Sequence, residues 1–94
     1  MMFDKVFVVY SEYADKDKEG RVYRIDQAVQ GVYRTLKGAR KYVSSQVDHY
    51  HGEKVKWREM VDVYYSPNVA TSWSTQTFDR HPTSYRISEM EAEE

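Results

Sequence analysis

The most pointed chemistry in this sequence is a run of cations at the expected start of a helix. Arg34, Lys37, Arg40 and Lys41 crowd around Thr35 and Gly38, and no carboxylate interrupts them. A helix N-terminus presents unbonded N–H groups and the positive end of the backbone dipole, so acids there stabilise by about 0.3–1 kcal/mol each and bases do not. Bases in that place suit a bound anion instead. Free N–H groups, the Thr35 hydroxyl and flanking cations together fit a phosphate or carboxylate. From Val22 to Val47 five bases stand against one acid, Asp26. Arg34, Thr35, Lys37, Arg40 and Lys41 are therefore the candidate anion-binding set, for a nucleotide or a nucleic-acid phosphate. The glycine spacing of a P-loop is missing, so triphosphate chemistry is not indicated. The bland alternative is a solvated basic helix face.

A second cluster is acidic. In the stretch from Asp15 to Asp26, acids fall at positions 1, 3, 5 and 12 (Asp15, Asp17, Glu19, Asp26), with Gly20 at 6 and Val22 at 8. That order resembles a calcium-binding EF-hand loop. Position 5 is Glu, position 12 is the shorter Asp, and Lys16, Lys18 and Arg21 offset the charge. The flanking Val6-Phe7-Val8-Val9-Tyr10 favours a strand where an EF-hand needs a helix. A plain charged hairpin loop is the better expectation, and no metal or other cofactor is expected.

The histidines are few. His49 and His51, two apart near a helix end, point to different sides and make a poor metal pair. With His81 as the third, no nucleophile–base–acid order can be built, so the expectation is a protein that is not an enzyme. Cysteine is absent, which excludes disulfides and thiolate chemistry. Nine tyrosines remain. Tyr10, Tyr33, Tyr42 and Tyr50 suit a core or its edge. Tyr13, Tyr23, Tyr64 and Tyr65, with Trp73, are expected to leave aromatic surface exposed, and Tyr64, Tyr65 and Trp73 are the interface candidates, because aromatics with a polar tip anchor protein contacts.

The elements that must hold these groups follow from composition and period. One leucine, Leu36, stands beside twelve valines, so a sheet with one helix is expected rather than a bundle. Phe3 to Tyr13 reads as a central strand, Ala14 to Arg21 as a charged loop, and Val22–Ile25 with Ala28–Arg34 as an interrupted second strand with a bulge near Gly31. Leu36, Ala39, Val43, Val47 and Tyr50 recur at three and four. With Thr35 as N-cap and Gly52 as a left-handed end, they predict a helix over Leu36 to His51. Val55, Trp57, Val61, Val63 and Tyr65 alternate, predicting a half-buried strand. Ser66-Pro67-Asn68 reads as a turn, Val69 to Phe78 as a polar strand suited to a sheet edge, and Asp79 to Thr83 as a turn. Tyr85 to Ser88 starts a last strand, and 89–94 reads as a frayed acidic tail. The order β-β-α-β-β-β gives an α+β domain: an antiparallel sheet of about five strands with one helix on a face.

The run Gly31-Val32-Tyr33-Arg34-Thr35-Leu36-Lys37-Gly38-Ala39, with the strand Val6 to Tyr10 before it and the closing Tyr85-Arg86-Ile87-Ser88-Glu89-Met90-Glu91, resembles the small accessory proteins of phages and prophages. The resemblance covers the first half and the last ten residues, not Trp57 to His81. It implies a mobile-element accessory protein with no particular activity. Ninety-four residues make a single domain, and a net charge of −1 excludes both a bulk polycation and an acidic nucleic-acid mimic. No apolar run of ~18 residues occurs and Met1 to Val6 lacks the pattern of a signal peptide, so a cytoplasmic protein with no membrane partner is expected. The functional expectation is a binding protein that docks a host protein or pairs with itself as a homodimer. The alternative is a module for a phosphate-containing ligand at the basic helix start.

Overall fold

A computed structural model describes residues 4–65 and 68–92, with side chains for 5–61 and 71–91. Valine- and aromatic-rich segments form the strands β1 (Asp4–Lys16), β2 (Val22–Tyr33), β3 (Arg58–Tyr65), β4 (Asn68–Ser74) and β5 (Ser84–Ala92), and α1 (Leu36–His51) falls between β2 and β3. The five strands make one antiparallel sheet in the order β2-β1-β5-β4-β3, the expected α+β architecture. One row crosses the whole sheet: Gly31, Val9, Ile87, Trp73 and Glu59 are neighbours in register.

α1 lies on that row. Ala39, Val43 and Val47, at helical spacing, are fully buried against Val9, Ile87, Trp73 and Tyr85, with Phe78 closing one end. Burying each such side chain is worth about 1.5–3 kcal/mol. The helix ends are fixed locally. Thr35 is extended, and its Oγ1 accepts from Gly38 N–H at 3.0 Å. A Cβ on Gly38 would sit 3.1 Å from that oxygen, so the cap needs the small residue. Gly52 ends the helix at φ 64°, in the left-handed region, and its N–H reaches the Val47 and Asp48 carbonyls.

Several strand expectations need correction. β1 runs on to Lys16, and β2 is continuous; its register shift leaves Gln30 unopposed, beside Gly31. The alternation from Val55 does not begin a strand there, because β3 starts only at Arg58. Before it, the Gln76 side chain stands in for a neighbouring strand: its Oε1 accepts from Lys56 N–H and its Nε2 donates to the Lys54 carbonyl. Val55 and Trp57 still pack on the core. The Ser/Thr-rich β4 is not an edge. It stops at Ser74 and lies between β5 and β3, with β2 and β3 at the rims. The tail expected to fray is strand through Ala92, with Glu89 opposite Phe7 and Glu91 opposite Lys5. Ser66 and Pro67, the expected turn, and Glu93–Glu94 lie outside the described residues.

Two substitutions separate core from cap. Ile87→Ala should cost about 2–5 kcal/mol, since it leaves a cavity in the middle row. Thr35→Ala should cost about 1 kcal/mol, the loss of one cap bond. Urea unfolding of both variants should return that order.

Candidate functional site

The predicted anion set is only partly assembled. Arg34, Lys37 and Lys41 are exposed and make no ion pair among the described residues. The Thr35 hydroxyl oxygen is occupied by the Gly38 N–H. Arg40 turns inward instead: its guanidinium carbon lies 5.5 Å from the Trp57 ring centre and 6.0 Å from that of Trp73. Its Nε is buried with no hydrogen-bond partner among the described residues, so the ring faces are its electrostatic neighbours.

The acidic loop is a hairpin turn held by its own cation. Asp17 Oδ1 accepts from the N–H groups of Glu19 and Arg21, both at 2.9 Å, and Arg21 also reaches Asp17 Oδ2 and Glu19. The Arg21 N–H above all, then the Glu19 N–H and the Arg21 guanidinium, hold the Asp17 carboxyl below its ordinary value. Asp15 lies in β1 opposite Arg24, and Asp26 lies in β2 paired with Arg24 at 3.1 Å. The EF-hand-like grouping is thereby corrected: Asp15, Asp17, Glu19 and Asp26 do not converge, and among the described residues no three His, Asp or Glu side chains gather as ligands.

Of the interface candidates, Trp73 is corrected outright: it is 7% exposed and belongs to the core. Tyr64 and Tyr65 are strand residues of β3 whose side chains lie outside those described. The exposed apolar surface lies elsewhere, on the sheet face that α1 leaves bare. Because side chains alternate, Ile25, Val29 and Val32 of β2 share that face with Val6, Val8 and Tyr10 of β1 and Met90 of β5. Ile25, Val29 and Val32 are each about 60% exposed. Farther across the same face stand Arg86 and Ser74, whose Nε and Oγ are buried and unpartnered among the described residues. Composition hinted at surplus apolar surface, but only the register says which face carries it.

On the helix-bearing face, the last turns of α1 and the start of β5 enclose a recess of about 260 Å³. It is set by two threonines. Thr75 Oγ1 accepts from Tyr85 N–H at 3.0 Å while its own N–H donates to the Tyr85 carbonyl. Thr83 N–H and Oγ1 both donate to the Glu12 carbonyl, and Ala14 N–H donates to Thr83 Oγ1. These bonds place Tyr85 on the recess wall beside Ser11, its neighbour across β1. Sequence reading passed over Tyr85, because a single aromatic opening a strand carries no local signal. Among proteins and structures already known, no family model, curated protein or solved structure matches this chain. Among the described residues no helix is long and apolar enough to cross a membrane.

Burial pushes the Tyr85 hydroxyl up to about 12, with the neighbouring Tyr42, Tyr13 and Tyr50 adding to it; burial likewise raises Tyr42. A folded-state value above the unfolded one of 10.0 means full stability below pH 10, lost as pH rises through about 12. Part of that loss is attributable to Tyr85. Urea unfolding at pH 9 and pH 11 should show Tyr85→Phe losing less stability over that interval than the parent.

Proposed function

We propose that this chain is a non-enzymatic binding protein that associates with a second copy of itself through β2 and the bare sheet face, in keeping with its resemblance to phage accessory proteins. The observation that carries the reading is the β2 edge. It is twelve residues long, holds no proline or lysine, and has its one acid and one base, Asp26 and Arg24, paired with each other. Natural edge strands are usually blunted by such residues. The other rim, β3, has exposed Arg58 and Glu59 near its start.

The pattern of β2 is compatible with itself. Antiparallel pairing about Gln27 sets Ile25 opposite Val29 of the second copy, twice by symmetry, and Gln27 opposite Gln27. Asp26 then meets Ala28 and Arg24 meets Gln30, so no like charges oppose. Sliding the register by two residues to centre on Asp26 would set Asp26 against Asp26, a repulsive pair. The apolar residues of β1 continue the surface inward from the joined edges. The anion reading has less support: of its five residues, Thr35 is occupied in its own cap and Arg40 is drawn onto tryptophan.

Sedimentation equilibrium at high micromolar concentration should report a dimer, and Ile25→Lys with Val29→Lys should return it to monomer. Both side chains are exposed, so stability should change by less than about 1 kcal/mol. A strictly monomeric parent chain would end the reading.

A further inference from the structure

We propose that the recess between α1 and the start of β5 binds an uncharged planar nitrogen heterocycle of the nucleobase class, presented as a nucleoside rather than a nucleotide. The recess shares one residue with β2, Gln30, but its proposed ligand contacts lie on α1, β1, β5 and the loop before β5, so the proposal does not depend on β2 pairing.

Three observations converge there. The Tyr85 ring is buried, while its hydroxyl, which makes no hydrogen bond to any described residue, keeps access to solvent at the recess wall. A hydroxyl that opens onto the recess is a donor that a ligand acceptor can engage in place of water. Gln46, half-buried on α1 and lining the same recess, also has no hydrogen bond among the described residues. A primary amide offers a donor and an acceptor side by side, the complement of a nucleobase edge. The nearby Gln30 amide is not free in this way, since it donates to Ser11 Oγ at 2.8 Å and accepts from Tyr42 at 3.4 Å; it is part of the frame.

The walls supply flat surface. Tyr13 and His81 stack at 5.7 Å and 19°, and Tyr50 lines the recess from the helix. Aromatic faces of this kind hold bases by stacking whatever their sequence. Charge then decides the form of ligand. No Lys, Arg, Asp or Glu lines the recess. The adjoining surface, which shares Tyr50, has Asp48, Glu53 and Asp79 against Arg80 alone. A phosphate entering beside three carboxylates and one guanidinium is repelled, so nucleoside should be preferred over its monophosphate and over single-stranded nucleic acid.

The test is an amide NMR titration of the full chain with adenosine, guanosine, cytidine and uridine, each up to about 5 mM, alongside the matching 5′-monophosphates. At least one nucleoside should saturate with Kd below about 1 mM, moving the Gln46 side-chain amide and the Ser11 and His81 resonances. Its monophosphate should bind several-fold more weakly. Tyr85→Phe, which keeps the ring, should weaken binding by about 3–10-fold, and Gln46→Leu provides a second variant should Tyr85→Phe not fold. No saturable shift with any of the four nucleosides, shifts confined to another part of the chain, a tighter monophosphate, or parent-like binding by the folded variants would each overturn the proposal.

Discussion

Ala39, Val43 and Val47 present no surface to water, and what they cover is the middle of the sheet, Val9 and Ile87 with Tyr85 and Trp73 on either side. A single sixteen-residue helix can shield only one face of five strands. That limit organises the rest. On the covered face the core can be small, built from valines and aromatics rather than leucines. On the other face β1 and β2 keep their apolar alternation, with Val8 buried and Ile25, Val29 and Val32 of β2 exposed. Among the described residues no second helix covers that layer, so the exposed Ile25, Val29 and Val32 follow from the same arrangement that makes the core.

The second dependency is the segment Thr75–Thr83. It leaves the sheet after β4 and returns to β5 without regular structure, yet buried hydroxyls account for its backbone. Thr75 and Thr83 exchange hydrogen bonds with Tyr85, Glu12 and Ala14, and Phe78 N–H donates to the Thr83 carbonyl. Phe78 itself stacks on His51 at 4.1 Å, joining the segment to the helix end. The His51–Phe78 contact and the Thr83–Glu12 bonds hold the last turn of α1 and the edge of β1 a fixed distance apart. The recess between them is thus a consequence of loop chemistry, not of loose packing.

The parts of the fold that were legible are those decided locally. The helix could be read to its residue because cap, period and left-handed glycine are all encoded within Thr35 to Gly52. The strands of the first hairpin were legible in type but not in length, since Ala14, Asp15 and Lys16 pair only because β2 lies beside them. β4 looked like an edge from its serines and threonines. Strand order is a non-local property: Ser72 and Ser74 pair with Ser88 and Arg86 of β5, and no local signal in β4 announces those partners. Val55 and Trp57 alternate like a strand while Gln76, twenty residues on, takes the place of one. The anion set was half legible: the cations are where the helix start puts them, but nothing in the spacing says that Arg40 has two tryptophan faces within reach. Tyr85 was invisible for the same reason. Its environment is Ser11, Gln46 and His81, three residues from three distant stretches.

The two ends of α1 differ in a way that bears on what the molecule can recognise. Arg34, Lys37 and Lys41 leave the N-terminal end cationic, with no acid in the first turn. The C-terminal end carries Asp48 and Glu53 beside neutral aromatic and amide groups. The helix dipole opposes the bases at its positive end, while at its negative end Asp48 shares the last turn with His49 and His51. Packing of Ala39, Val43 and Val47 must offset that penalty, since it amounts to a few tenths of a kcal/mol per charge against several for the buried stripe. A helix held by its apolar face is free to carry surface charge that its own dipole disfavours. The charges at the two ends are therefore not explained by helix stability, and those at the C-terminal end stand beside a recess lined by no Lys, Arg, Asp or Glu.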